Sequence, residues 1–150
     1  MDNHICYINS LTYQLETTAE IFFNFVNKAF NENVKNKITL EEYIILDTLV
    51  HFPHLNKNSL AKTVIKDNNY IDRIISKLIR KKFLKEVKSD GSDIQVKYYE
   101  LTESGEKIYL DSIQKKDNML AFLLRFITEK ELVTFTKTLL KIRNIILSLK

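Results

Sequence analysis

The chain has 150 residues, of which 45% are hydrophobic and 28% charged, and its formal net charge is +4. This size and balance suit one globular domain with a hydrophobic core, and two glycines with one proline are too few turn residues for a many-stranded fold. A single cysteine excludes an internal disulfide framework. Because there is no signal-peptide pattern and no apolar run long enough for a membrane span, we expect a soluble, cytoplasmic, mainly helical protein.

Positive charge is concentrated in the middle of the chain. The segment from Lys57 to Lys97 contains eleven basic and five acidic residues, whereas the rest of the chain contains twelve basic and fourteen acidic residues. Such an excess is expected where a protein binds a polyanion such as nucleic acid. A lysine-rich composition can also produce it without that partner, so the excess supports nucleic-acid binding without establishing it.

The first predicted element is a long helix from Ile8 to about Asn33, whose apolar surface is too broad for one packing contact. The run Thr39-Leu40-Glu41-Glu42 then has the pattern of a capping box, in which the threonine hydroxyl and the second glutamate each accept from the other residue's amide. This box predicts a second helix that runs to about Phe52 and ends before Pro53.

Two further helices are predicted on either side of a short polar turn. The first is short, from about Ser59 to Val64 with Asn58 as its cap, and the second runs from Asn68 to Phe83. The second has an inward stripe at helical spacing, formed by Ile71, Ile74, Ile75, Leu78 and Ile79. Its other face carries Asn69, Tyr70, Arg73, Lys77 and Arg80. Helix, short helix, turn and basic helix is the order of a helix-turn-helix unit.

Two short strands are predicted next, over Leu84–Lys88 and Ile94–Leu101, with the glycine-centred run 89–93 between them. A basic helix followed by a hairpin is typical of the winged helix-turn-helix. Thr102 is then predicted to cap a further helix, and a second capping box at Thr128–Glu131 opens the last one. The last helix is apolar almost to its end, which favours a homodimer held by the first and last helices.

The order and spacing of these pieces resemble the MarR family of bacterial winged-helix transcriptional regulators, over roughly Ile5 to Leu147. The matching segments are Leu60-Ala61, the run from Ser76 to Leu84, Asp93, the run Leu101-Thr102-Glu103-Ser104-Gly105, and the run from Thr128 to Leu132. The resemblance implies a mainly α fold with a small β-hairpin wing in a single domain. Its winged helix-turn-helix lobe would span about 39–101, with dimerisation helices at about 8–33 and 103–149.

The resemblance also implies a dimer that presents two recognition helices to successive major grooves of a pseudo-palindromic operator, about 34 Å apart. We predict that Asn68, Asn69, Tyr70 and Arg73 lie near bases. Phosphate contacts are expected from Lys77, Lys88 and Lys97. The alternative for these residues is an ordinary solvated face of an amphipathic helix.

Two positions depart from the family pattern. Family wings commonly carry Asp-x-Arg, whereas this chain has Asp93-Ile94-Gln95 and so lacks the arginine that typically reaches the minor groove. Phe83 stands where the family often has glycine, which we expect to be tolerated if the backbone there keeps a negative φ. The competing class of function is therefore a winged-helix module for protein contacts that has lost specific DNA binding.

Regulators of this family usually respond to a small molecule or an oxidant. Cys6 is the candidate redox sensor, because Ile5-Cys6-Tyr7 resembles the Leu-Cys-Phe of peroxide-sensing members; the alternative is an inert cysteine. His51 and His54 have no obvious further ligands, so neither a metal site nor a cofactor is predicted. The sequence shows no phosphate loop and no nucleophile–base arrangement, and we expect a repressor-type regulator that is not an enzyme.

Overall fold

A computed structural model describes residues 6–31, 38–88 and 96–149. After a short 3-10 turn at Tyr7–Asn9, the elements in chain order are α1 (Leu11–Asn31), α2 (Leu40–His51), α3 (Lys57–Val64), α4 (Asn68–Arg80), β1 (Leu84–Lys88), β2 (Lys97–Leu101), α5 (Glu103–Leu123) and α6 (Glu129–Ser148). The chain divides into two compact units, Met1–Lys115 and Lys116–Lys150, which are described separately.

The core of the first unit lies where α2, α3 and α4 pack together. Its fully buried side chains include Ile45, Leu46, Leu60, Ile71, Ile74 and Leu78. The inward stripe predicted for α4 is confirmed at four of its five positions. The fifth, Ile79, is 39% exposed because it lies at the edge of the stripe, about 90° around the helix from its centre.

Helix starts follow the predicted caps with one correction. In the first capping box, the Glu42 amide donates to Thr39 Oγ1 at 3.2 Å and the Thr39 amide donates to Glu42 Oε2 at 2.9 Å. The second box, at Thr128, is also present. The prediction of Asn58 as the cap of α3 was wrong: the cap is Asn56, whose side chain accepts from the Ser59 amide at 2.9 Å. Two asparagines in alternate positions both fit the cap preference, and the earlier one adds two residues to the helix.

The α4 helix ends at Arg80, three residues before the predicted end at Phe83. Lys82 adopts a left-handed backbone conformation with φ of 61°, and the Phe83 amide donates back to the Leu78 carbonyl at 2.9 Å. This pair of features is the common glycine-type ending of a helix, here with lysine in the strained position. The strain therefore lies one residue before Phe83, whose ring is buried in the core.

The strands β1 and β2 form an antiparallel hairpin, the wing, in which Leu84 pairs with Leu101 and Lys88 pairs with Lys97. The first strand has its predicted bounds. The second begins at Lys97 instead of Ile94, and Val96 precedes it outside the strand. Ile94 itself, together with the rest of 89–95, lies outside the described residues.

The run Leu101–Gly105 fixes the end of α4 to the start of α5. The hydroxyls of Thr102 and Ser104 donate to the Lys82 carbonyl at 2.6 and 2.7 Å, and the Gly105 amide donates to Thr102 Oγ1 at 3.0 Å. A Cβ atom at Gly105 would lie 2.0 Å from the Phe83 carbonyl oxygen. Only glycine allows this approach, which explains the glycine of the motif.

Exposed apolar side chains lie on α1 in the first unit and on α6 in the second. On α1 they include Ile21, Phe22, Phe23 and Phe25. On α6 they include Val133, Phe135, Leu139, Leu140, Ile145 and Ile146, and none of the α6 residues is buried. Among the described residues no helix combines the length and the apolarity needed to cross a membrane.

Candidate nucleic-acid interface

The exposed face of α4 begins at its amino terminus. Asp67 caps the helix by accepting from the Tyr70 amide at 2.7 Å, and this leaves Asn68 and Asn69 exposed in the first turn. From Asn69 the outermost positions continue at helical spacing through Arg73, Ser76 and Arg80, all exposed. This strip offers amide, guanidinium and hydroxyl groups, the side chains that hydrogen-bond to base edges.

One edge of the strip contacts α2. The Nη2 atom of Arg73 lies 3.2 Å from Oε1 and 3.3 Å from Oε2 of Glu41, so one guanidinium nitrogen contacts both carboxylate oxygens. The ring of Tyr70 lies near two cations, with Lys66 Nζ and the Arg73 guanidinium carbon each 5.2 Å from its centroid. Burial, followed by the charge of Glu41 and a hydrogen bond to it, raises the pKa of Tyr70 to about 12. The phenol is therefore neutral at physiological pH.

The other edge of the strip faces α3 and the wing. Asp72 of α4 accepts from Lys57 Nζ at 3.0 Å, and on the hairpin Lys97 Nζ lies 2.9 Å from Glu86 Oε1. The hydrogen bond to Glu86 and its charge raise the pKa of Lys97. Burial raises the pKa of Tyr99, with further contributions from the Glu86 and Asp72 carboxylates. Two Lys–carboxylate pairs thus surround one buried tyrosine.

A cavity of about 550 Å³ opens between α3, α4 and the hairpin. Ile75, Ile79 and Val96 form its apolar wall, while both Lys–carboxylate pairs and Tyr99 supply its polar groups. This volume lies within the range typical of small-molecule sites, roughly 300–1,000 Å³.

An ion pair between a buried carboxylate and a partly exposed lysine links α2 to the end of α4. Glu42 is only 1% exposed, and its Oε2 atom accepts from Lys81 Nζ at 2.7 Å as well as from the Thr39 amide. One carboxylate therefore caps α2 and binds the residue that follows α4. This contact adds a polar link to the apolar packing that holds α4 in the lobe.

No protein-family model matches this sequence, and no curated protein matches it. Its fold is similar to that of many solved structures. A MarR/EmrR family transcriptional regulator from Acinetobacter sp. ADP1 superposes with a TM-score of 0.82 at 20% identity, covering 95% of this chain and 98% of that one. The chain has the MarR-type winged-helix fold. The predicted fold class is thereby confirmed.

Two further structures share this MarR-type fold. The PcaV transcriptional regulator from Streptomyces coelicolor, in complex with its natural ligand, superposes with a TM-score of 0.79 at 17% identity and covers 93% of this chain and 96% of its own. The MepR–DNA complex from S. aureus gives 0.74 at 19% identity, with 91% and 96% covered. At these identities the likeness concerns the fold.

The predicted site residues form two groups, which differ in whether the side chain has a hydrogen-bond or ion-pair partner. Within the described residues, the side chains of Asn68, Asn69, Lys77 and Lys88 make no hydrogen bond or ion pair, although Lys77 is half-buried. Arg73 and Lys97, by contrast, are held by Glu41 and Glu86. The wing residues Asp93, Ile94 and Gln95 lie outside the described residues.

Several residues of this surface were not predicted as site residues, namely Glu41, Lys57, Lys66, Ser76 and Arg80. Helical spacing from Asn69 and Arg73 identifies Ser76 and Arg80 directly. The Glu41–Arg73 contact joins residues 32 apart in the sequence, and Lys57 pairs with Asp72 across 15 residues. No local pattern marks contacts of that kind.

The remaining candidates lie away from the strip. Cys6 is exposed and directly precedes the 3-10 turn. His51 Nδ1 lies 2.8 Å from the Asp47 carbonyl oxygen, and the His54 ring packs edge-on against Tyr98 at 5.0 Å. In the ranges that the structure describes, no group of three or more His, Cys, Asp or Glu side chains is arranged to hold a metal ion.

Proposed function

We propose that this protein is a dimeric, sequence-specific DNA-binding transcriptional regulator, a repressor in which α4 is the recognition helix. The observation that carries the proposal is the strip Asn69–Arg73–Ser76–Arg80, exposed along a helix whose opposite face is buried in a winged helix-turn-helix lobe. The MepR structure of the same fold contains DNA, which supports this reading. A regulator of this kind is not an enzyme and works in the cytoplasm.

The chemistry of the strip divides the contacts into two kinds. Asn69 and Arg73 can each present two hydrogen-bonding groups to a base edge in the major groove, with Asn68 and Tyr70 beside them. Lys77, Lys88 and Lys97 contribute positive charge for phosphates, which positions the protein on the duplex without reading sequence. Ser76 and Arg80 extend the same surface toward the end of the helix.

The homodimer is proposed from the exposed apolar faces of α1 and α6, each of which would be costly to leave in water. A twofold axis would place two α4 helices on half-sites of a pseudo-palindrome about 34 Å apart. Sedimentation equilibrium tests this: Leu139→Glu on α6 is expected to shift the protein to monomer, whereas Lys137→Glu on an exposed polar position is not. A wild-type monomer at micromolar concentration would contradict the dimer.

A small-molecule effector is the second component of the proposal. The cavity of about 550 Å³ adjoins both α4 and the wing. A molecule bound there would therefore change the position of α4 and the wing relative to DNA. PcaV, with the same fold, was solved with its natural ligand. Oxidation of the exposed Cys6 is the other proposed input. Peroxide treatment should then weaken DNA binding by the wild type and leave Cys6→Ser unaffected; equal effects on both would end the redox proposal.

The alternative function is a winged-helix module for protein contacts. It is favoured by Gln95 in place of the wing arginine and by the intramolecular partners of Arg73 and Lys97. Selection of genomic DNA fragments by the purified protein, followed by binding titrations at several salt concentrations, separates the two functions. Enrichment of one palindrome with steeply salt-dependent affinity supports the regulator. No enrichment over random fragments would favour the protein-contact module.

A further inference from the structure

Three cations on the proposed DNA-binding side are each paired with a carboxylate from a neighbouring element. Arg73 of α4 lies 3.2 Å from Glu41 of α2, Lys57 of α3 lies 3.0 Å from Asp72 of α4, and Lys97 of β2 lies 2.9 Å from Glu86 of β1. All six side chains keep at least a quarter of their surface exposed.

Folding stability does not account for these pairs. Exposed ion pairs contribute little to stability, because water screens the charges and both side chains lose freedom. A DNA phosphate that approaches such a cation must replace the carboxylate, which then remains nearby as a like charge. Each pair therefore lowers the attraction of this surface for any DNA backbone, whatever its sequence.

Arg73 differs from the two lysines because a guanidinium can hydrogen-bond to a base edge as well as to a phosphate. Both oxygens of Glu41 accept from the guanidinium, and a guanine presents two acceptors, O6 and N7, in the major groove. A correctly placed guanine can therefore replace Glu41 as the acceptor for the Arg73 guanidinium. On DNA of random sequence, only phosphates or base edges without this acceptor pattern are available to replace Glu41 at Arg73.

From this arrangement we propose that Glu41, Asp72 and Glu86 suppress non-specific DNA binding by competing for Arg73, Lys57 and Lys97, and that Glu41 is the specificity-determining residue of the three. The proposal rests on the proposed DNA-binding function and concerns the same surface. Asp72 and Glu86 lower the attraction for DNA of any sequence, whereas Glu41 weakens complexes without a guanine at Arg73 more than a complex that has one.

The test measures binding of full-length variants to a random-sequence duplex at several salt concentrations. The triple variant Glu41→Gln, Asp72→Asn, Glu86→Gln is expected to bind about 100-fold more tightly than wild type at 0.15 M salt, and its salt dependence is expected to steepen by up to about three ions. The matched control, Glu103→Gln, Glu106→Gln, Asp111→Asn, changes net charge equally at exposed α5 positions. It should change affinity less than about threefold.

Paired backgrounds distinguish release of a cation from a general change in charge. Glu41→Gln should increase the affinity for random duplex about fivefold in the wild type, but not in a protein that already carries Arg73→Gln. In the same way, Asp72→Asn should have no effect when Lys57→Gln is present. Glu86→Gln should have no effect when Lys97→Gln is present. Equal gains by the two triple variants, or gains that persist in the paired backgrounds, would overturn this inference while leaving DNA binding intact. If neither the wild type nor any variant binds duplex DNA at low salt, both this inference and the proposed DNA-binding function are wrong.

Discussion

The buried carboxylate of Glu42 lies 2.7 Å from Nζ of Lys81 and joins the first turn of α2 to the residue that follows α4. We expect Glu42→Ala to lower the free energy of unfolding by about 2–4 kcal/mol, because it removes a buried carboxylate that both pairs with Lys81 and caps α2. Glu42→Gln keeps the cap and should cost about half as much. Urea denaturation measures both. The neighbouring Glu41→Ala, at a more exposed pair, serves as control and should cost less than about 1 kcal/mol.

Gly105 provides a second test of the junction between α4 and α5. A helix interior normally favours alanine over glycine by about 1 kcal/mol. Here the added Cβ would lie 2.0 Å from the Phe83 carbonyl oxygen, so we expect Gly105→Ala to destabilise the protein by about 2–3 kcal/mol. Thermal unfolding should show this loss, with Asp111→Ala on the same helix as a neutral control. A more stable Gly105→Ala variant would disprove the close approach.

Ile65 occupies the turn between α3 and α4 with φ of 55°, a left-handed conformation that is strained for a β-branched residue. Its side chain is 45% exposed, so its loss removes little packing. We predict that Ile65→Gly raises the free energy of unfolding by about 0.5–1 kcal/mol. Lys62→Gly, inside the last turn of α3, should act in the opposite direction by a similar amount. Destabilisation by both substitutions would contradict the assigned turn geometry.

The raised pKa of Tyr70 predicts how stability depends on pH and how the pKa responds to Glu41. Because its folded-state pKa is raised from 10.0 to about 12, the stabilisation linked to it is complete below pH 10 and is lost between pH 10 and about 12. Tyrosinate absorbance can be titrated against pH for the wild type and for Tyr70→Phe. The difference between the two curves should give the pKa of Tyr70. Glu41→Gln should lower its pKa but leave it above 10, since burial is the largest cause of the shift. Glu86→Gln should leave it unchanged.

Local patterns predicted most of the fold because each element carries its own signal. The Thr39 box, the apolar stripe of α4 and the β1 strand each depend on residues close together in the sequence. The box and the strand are confirmed, and so is the stripe except at Ile79. The end of α4 was misplaced because the left-handed Lys82 is not a residue type that marks a helix end. The start of α3 was misplaced because Asn56 and Asn58 both fit the preference for a helix cap.

The candidate site was predictable only in part, for a different reason. The exposed strip of α4 follows from helical periodicity, and its candidate residues remain predictions until DNA binding is measured. What sequence alone could not indicate is that Arg73 and Lys97 are already paired, since the first contact spans 32 residues and the second depends on strand register. Those pairs are the observation behind the proposed role of the nearby acids as competitors of DNA.

The most direct test of the central claim is a salt-controlled binding titration of wild type, Arg73→Ala and Lys77→Ala on a selected genomic fragment and on random DNA. A recognition helix predicts that Arg73→Ala loses about 1–3 kcal/mol on the selected fragment and little on random DNA. Lys77→Ala should weaken both complexes and reduce the salt slope by about one. Wild-type affinity that is equal for both DNAs, with Arg73→Ala indistinguishable from it, would contradict a DNA-reading role for α4.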